Sequence, residues 1–159
     1  MERRWSADRD RRRFRGRQPG CQRYYLERCW PALTGAGAAL FYGAYDLRAT
    51  AERTSSLPGL QEQLSTYVSG KRDLWDDPRV SPFKAVAPGI LPPCFILGAG
   101  DDSWCLADSL ALAQALSAVA SPYELHVMEG IPHGFMQMST LESFRAAMRL
   151  MWEFLARNV

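Results

Sequence analysis

The strongest constraint on the fold is an alternation of apolar, strand-like runs with segments of helical periodicity. Residues 38–42 and 94–97 are continuously apolar, whereas residues 123–128 alternate more between apolar and polar side chains. Continuous apolar runs are typical of buried parallel strands, and the alternating run indicates a strand nearer a sheet edge. A helical segment follows each strand, at 60–68, 106–119 and 139–155. This order predicts an α/β fold with a parallel sheet and flanking helices.

Three strands are few for such a sheet. The outermost strand would present backbone donors and acceptors that a further strand normally satisfies. We therefore expect part of a larger α/β sheet, with self-association through an exposed sheet edge as one consequence. The last helix, which Ser139 and Glu142 are predicted to cap, adds Trp152 and Phe154 as exposed apolar candidates for such contact.

The first 30 residues differ in composition from the rest of the chain. They hold ten arginines against four acids and show no hydrophobic period. The sequence therefore predicts an irregular arginine-rich arm at residues 1–36 beside an ordered domain at residues 37–159. Acids interrupt the basic run and no known nucleic-acid module follows it, so composition disfavours a nucleic-acid partner.

Cysteine use and hydropathy bear on the compartment. The four cysteines show neither a CxxC pair nor zinc-finger spacing to a histidine. We therefore expect reduced thiols, no metal and no disulfide. No apolar run is long enough to cross a bilayer, and the arginine-rich start is unlike a secretory signal. These features predict a cytoplasmic protein without a membrane span.

Polar side chains follow the second and third predicted strands. Asp101 and Asp102 come after the second strand, and His133 lies in a loop after the third. The carboxyl ends of parallel strands gather ligands and catalytic groups, and a carboxylate there can orient an imidazole for proton transfer. An Asp pair is also typical of a turn or cap, and a lone loop histidine is often only a surface residue. His126 lies inside the strand pattern and is interpreted as structural.

Four stretches resemble one family, the hormone-sensitive-lipase-like esterase group of the α/β-hydrolases. They are Leu40-Phe-Tyr42 with Asp46, Asp77-Pro-Arg-Val-Ser-Pro82, Leu91-Pro-Pro-Cys-Phe-Ile-Leu-Gly-Ala-Gly-Asp-Asp102 and Glu124-Leu-His-Val-Met-Glu-Gly-Ile-Pro-His-Gly-Phe135. The resemblance covers about residues 37–157 and implies the C-terminal part of an α/β-hydrolase sheet. It also implies that His133 is a catalytic base, that one aspartate orients it, that small acyl esters are the substrates, and that no cofactor is needed.

The resemblance favours Asp102 as the acid and leaves Asp101 as the alternative. Counting from Pro92-Pro93 places the family's acid on Asp102, and counting back from the following helix requires only one extra residue in the turn. The family usually continues with Pro-Leu, where this chain has 103–105, Ser-Trp-Cys.

The serine of a Ser-His-Asp triad has no evident place in the chain. No Gly-x-Ser-x-Gly elbow and no HGGG oxyanion loop occurs in the sequence. We therefore predict a carboxylic-ester hydrolase by family that is inactive as written. The alternative is a non-catalytic fragment or interaction protein with a basic tail, and a peptidase on the same fold is a third reading.

A shifted reading frame offers one origin for the arm. With one permitted choice of codons, residues 16–22 read one base later encode Gly-Asp-Ser-Pro-Gly-Ala, which is a nucleophile elbow. Residues 1–30 are then an out-of-frame copy of the missing strand and elbow. The coding DNA tests this hypothesis, because other codons at Arg17 and Gln18 remove the serine.

Overall fold

The structure is a computed structural model that describes residues 37–158. It contains a three-stranded sheet and four α-helices, in the chain order β1 (Ala38–Phe41), α1 (Leu47–Arg53), α2 (Pro58–Tyr67), β2 (Cys94–Ala99), α3 (Leu106–Ala118), β3 (Tyr123–Met128) and α4 (Glu142–Asn158). All pairing is parallel, in the order β1-β2-β3. The predicted α/β fold with flanking helices is therefore confirmed. The predicted arm at residues 1–36 and its reading-frame hypothesis lie outside the described residues.

Strand β2 is the centre of the sheet, and every one of its residues is buried. Phe95 and Leu97 face one side, where they join a core cluster with Ala147 and Phe154 of α4. Successive side chains of a strand point to opposite faces, so the residues between them face the other side, where α3 packs. Burial on both faces explains why this strand is apolar without alternation.

The strand β2 extends two residues beyond the apolar run from which it was predicted. The apolar run ends at Leu97, but Gly98 and Ala99 also pair with β3. A Cβ atom at Gly98 would lie 3.1 Å from the Leu106 side chain of α3. Glycine therefore permits the close approach of a helix to the strand at this position, rather than breaking the strand.

Helix α1 was not predicted from the sequence. Asp46 caps it, with a side-chain oxygen that accepts a hydrogen bond from the Ala49 amide at 3.2 Å. The Leu47 amide donates to Ser81 Oγ at 2.9 Å, and Ser81 donates in turn to the Trp75 carbonyl at 2.5 Å. Ser81, the buried serine of the Asp77–Pro82 stretch, therefore links the start of α1 to the segment that contains Trp75.

The last helix differs from its predicted form at its start and on its apolar face. The helix begins at Glu142, and the residues before it form a backbone turn in which the Leu141 amide donates to the Met138 carbonyl at 3.0 Å. Ser139 lies in this turn and is therefore not the cap of the helix. Phe154, predicted to be exposed, is buried against the sheet, whereas Trp152 is exposed as expected. Helical spacing from Ala147 and Met151 places Phe154 on the buried stripe. No helix within 37–158 combines the length and apolarity that a membrane crossing requires.

Candidate active site

Two backbone hydrogen bonds join the turn after β2 to the segment after β3. The Gly100 amide donates to the Met128 carbonyl at 2.8 Å, and the Asp101 amide donates to the Ile131 carbonyl at 3.0 Å. A Cβ atom at Gly100 would lie 2.9 Å from the backbone of Glu129, so the two chain segments can approach this closely only because residue 100 is glycine. The two predicted polar loops are therefore fixed side by side.

The Asp102 side chain is buried and held by the backbone. Its Oδ1 atom accepts hydrogen bonds from the amides of Trp104 at 2.9 Å and Cys105 at 3.0 Å, just before α3 begins. These two bonds satisfy one carboxylate oxygen and fix the plane of the group. Its other oxygen, Oδ2, is left for a partner outside the turn.

That partner is His133. The distance from His133 Nδ1 to Asp102 Oδ2 is 2.6 Å, and the two side chains are 40% and 1% exposed, respectively. An ionised carboxylate can only accept a hydrogen bond, so the neutral imidazole must carry its proton on Nδ1 in this arrangement. The lone pair of Nε2 is then available to accept a proton from another group.

The other titratable candidates from the sequence lie elsewhere. Asp101 is exposed, and its backbone amide rather than its carboxylate contributes to the site. His126 lies within β3, where its ring stacks on Phe95 with 5.1 Å between centroids. The structure therefore brings together Asp102 and His133, and it places Asp101 and His126 in other surroundings.

Two aromatic rings contact the imidazole. The centroid of His133 lies 4.8 Å from that of Tyr42, in an edge-on arrangement, and 5.8 Å from that of Trp104. The Tyr42 hydroxyl oxygen accepts a hydrogen bond from the Met136 amide at 3.1 Å, which ties the end of β1 to the histidine loop. Burial raises the pKa of Tyr42, and the nearby Asp102 charge adds to this effect, so the phenol stays neutral. Tyr42 thus contacts both the His133 ring and the loop that carries it.

A cavity of about 350 Å³ opens beside the histidine. Its walls combine apolar side chains with Tyr42, Trp104, Cys105 and His133. Burial raises the pKa of the Cys105 thiol to about 12, and the negative charges of the Asp102 and Asp108 carboxylates contribute to this rise. This thiol is therefore protonated near neutral pH and is a poor nucleophile there.

An ion pair between the partly exposed Arg53 and the buried Asp108 supports the turn that carries Asp102. Asp108, in the first turn of α3, is almost fully buried and forms an ion pair with Arg53 at the end of α1. Asp108 also accepts hydrogen bonds from the Thr50 hydroxyl at 2.6 Å and from the Asp46 amide at 3.2 Å. Arg53 reaches the Trp104 carbonyl at 3.3 Å, so the pair contacts the turn that carries Asp102.

The sequence did not single out Tyr42, Cys105, Asp108 or Arg53 as site residues. Tyr42 follows β1 directly, so the rule that polar groups gather at the carboxyl ends of parallel strands would have found it. Asp108 and Arg53 are 55 residues apart, and no spacing pattern signals their pairing. Cys105 was interpreted only as a reduced thiol.

Comparison with known proteins identifies the fold around this site. The family model described as alpha/beta hydrolase fold matches residues 27–137. A carboxylesterase cloned from a metagenomic library aligns with TM-score 0.67 and 17% identity, over 85% of this chain and 49% of its own. An esterase of Pyrobaculum calidifontis aligns with TM-score 0.64 and 18% identity, over 86% and 48%. An esterase/lipase from an uncultured bacterium gives 0.59 and 23%, over 76% and 43%. The chain thus spans less than half the length of these solved esterases.

Proposed function

Since the chain belongs to the α/β-hydrolase family, we propose that it carries the acid and the histidine of a serine ester hydrolase. Asp102 is the proposed acid and His133 the proposed base. The observation that carries this proposal is the 2.6 Å contact between His133 Nδ1 and Asp102 Oδ2. The acid precedes the histidine along the chain, as in the Ser–acid–His order of α/β-hydrolases. The resemblance to the esterase group supports small to medium acyl esters as the proposed substrates.

The proposed chemistry follows from the two faces of the imidazole. His133 Nε2 takes the proton of an attacking serine hydroxyl and later returns a proton to the leaving alcohol. Asp102 keeps the proton on Nδ1 and stabilises the imidazolium that forms between these two steps. Burial of the carboxylate beside a half-exposed ring supports this division of roles.

The chain on its own is proposed to be inactive. Its sequence contains no Gly-x-Ser-x-Gly elbow and no HGGG loop. Triad members act as a unit, so the absence of the serine alone costs roughly a millionfold in kcat. The orienting acid and the base cannot replace an attacking atom and an oxyanion hole.

Hydrolysis of p-nitrophenyl butyrate by the purified chain tests the inactivity. We expect the same background rate from the unaltered chain, from His133→Ala and from the control His126→Gln. A rate above background that His133→Ala abolishes and His126→Gln retains would contradict the proposed inactivity.

Supply of the missing parts in trans tests the proposed roles. A second polypeptide that carries the serine elbow and oxyanion loop of a solved esterase is mixed with the chain, and assembly is checked by size-exclusion chromatography. We expect hydrolysis that falls at least about 100-fold in His133→Ala, because general acid–base catalysis contributes at least this much. Equal activity of the His133→Ala complex would contradict the role of the histidine.

The second candidate function is that of a non-catalytic interaction protein, which the missing serine elbow favours. Its contact surface would be the outer edge of β1, an end strand of the sheet within the described residues. Cys94 and Cys105 are unpaired thiols, which supports the further proposal of a cytoplasmic location. Concentration-dependent association in analytical ultracentrifugation, together with no His133-dependent hydrolysis in trans, would favour this function over the first.

A further inference from the structure

A thiol, a carboxylate and an imidazole meet at the wall of the cavity. One ligand atom each from Asp102, Cys105 and His133 lies within 4.8 Å of the other two. The carboxylate and the thiol are buried, and the imidazole is half-exposed. We call these three residues the acid–thiol–imidazole cluster.

The donor set selects one class of cation. Sulfur and imidazole nitrogen are poor ligands for Mg²⁺ or Ca²⁺, which prefer oxygen. Zn²⁺ accepts sulfur, nitrogen and carboxylate oxygen together, usually in tetrahedral geometry. Sites with three protein ligands leave the fourth position open for water.

We propose that the acid–thiol–imidazole cluster is a binding site for a borderline-soft divalent cation of the Zn²⁺ type. Asp102, Cys105 and His133 supply three ligands, and the cavity beside His133 leaves the fourth position to water. The sequence expectation of no metal rested on the spacing of cysteines and histidines. That spacing could not reveal a cluster whose members come from the turn after β2 and the loop after β3.

Metal binding requires the spacing of the ligand atoms to change, because the 2.6 Å separation of His133 Nδ1 from Asp102 Oδ2 must lengthen and the wider separations, up to 4.8 Å, must shorten. Donor atoms around a tetrahedral Zn²⁺ lie roughly 3.5 Å apart, since Zn–N and Zn–S bonds are about 2.0 and 2.3 Å long. Asp102 is already oriented, because its Oδ1 atom accepts two backbone hydrogen bonds and Oδ2 faces the cluster. Such bonds to a ligating carboxylate strengthen metal sites. Rotation of the His133 ring therefore closes the site, and the Cys105 thiol loses its proton to solvent when the metal binds.

Zinc binding and proton transfer exclude each other at this cluster. A cation held by Asp102 and His133 replaces the hydrogen bond between them, or it occupies the Nε2 lone pair that a serine would need. The site requires neither a serine nor an ester. It therefore goes beyond the proposed function and stands independently of it.

Equilibrium dialysis of the full chain against ZnCl₂ tests the site. Cys21 and Cys29 are also present in the chain, so the decisive quantity is the difference between matched variants. We expect Cys105→Ala and His133→Gln to bind one equivalent less zinc than the unaltered chain, or to bind that equivalent at least tenfold more weakly. Cys94→Ala and His126→Gln should bind zinc as the unaltered chain does.

Equal zinc binding by the unaltered chain, Cys105→Ala and His133→Gln would overturn the proposal, as would a chain that binds no zinc. His133→Gln changes a half-exposed ring, so it tests the site even where Cys105→Ala unfolds the chain, which circular dichroism detects. The two proposals also fail separately. Zinc binding that depends on His133, combined with hydrolysis in trans that does not, refutes the proposed function alone.

Discussion

The two oxygens of Asp102 have different partners, and this difference decides what a substitution there will do. Oδ1 accepts from the amides of Trp104 and Cys105, and Oδ2 accepts from His133. The acid therefore supports the turn before α3 as well as the imidazole. A conservative change that keeps the first set of bonds and disturbs the second separates these two contributions.

Asp102→Asn is expected to lower the free energy of unfolding by about 1–3 kcal/mol, because its amide group would face the Nδ1 proton of His133 as a second donor. Urea denaturation measures the change. The matched control is Asp101→Asn, which alters an exposed side chain and should stay within about 0.5 kcal/mol of the unaltered chain. Equal loss in both variants would show that the Asp102–His133 pair does not carry this stability.

The buried Cys94 thiol makes the free energy of unfolding depend on pH in the alkaline range. Burial raises the pKa of this thiol to about 11, above the value of about 8.5 for an exposed thiol. As pH rises between these two values, the unfolded chain loses the proton first, so the free energy of unfolding falls by up to about 1.4 kcal/mol per pH unit. Cys94→Ala should remove this contribution. Its free energy of unfolding, measured by urea denaturation, should therefore decline less steeply between about pH 9 and pH 11. Identical slopes would contradict the inferred burial of the thiol.

At the scale of elements, the pair Arg53–Asp108 connects α1 to α3. Arg53→Ala leaves the buried Asp108 carboxylate without its cation and should cost on the order of 3 kcal/mol. The control is Arg48→Ala, because Arg48 and Asp76 form a 2.5 Å pair with side chains 45% and 47% exposed, and the loss of a solvent-screened pair should destabilise the chain much less. Thermal or urea unfolding of both variants measures the difference. Losses of similar size would contradict the bracing role of the Arg53–Asp108 pair.

The sequence predicted which segments form strands better than it predicted where strands and helices end. A run such as 94–97 is apolar because both faces of β2 are covered, and this signal is local. The end of β2 depends on the contact of Gly98 with Leu106, and the start of α4 depends on the turn at Met138. Such boundaries are set by tertiary contacts, which a hydrophobic period does not record.

The residues of the candidate site likewise include some that the sequence predicted and some that it did not. Asp102 and His133 were accessible from the sequence because each follows a strand, and parallel strands bring their carboxyl ends to one edge. Cys105 joins the site because it lies three residues after Asp102, in the turn that carries this acid. Arg53 reaches the turn from α1 through a contact with the Trp104 carbonyl, and no spacing pattern in the sequence signals that contact.

At the scale of the whole molecule, the chain contains the proposed proton-transfer pair but no recognisable serine elbow for it to act on. Asp102 and His133 are joined within residues 37–158, whereas no serine elbow occurs in the sequence. The chain covers less than half of the solved esterases with which it aligns. The proposed catalytic role therefore depends on parts supplied from outside this sequence, whereas the proposed metal site does not.

The protonation of His133 Nδ1 tests the central claim most directly. The chain has two histidines, so a nitrogen-15 NMR spectrum of histidine-labelled protein is assigned with His126→Gln. We predict a protonated Nδ1 whose proton signal lies far downfield through its hydrogen bond to Asp102, is lost or shifted in Asp102→Asn, and is unchanged in Asp101→Asn. An unprotonated Nδ1, or a signal that Asp102→Asn leaves unchanged, would contradict the pairing of this acid with this base.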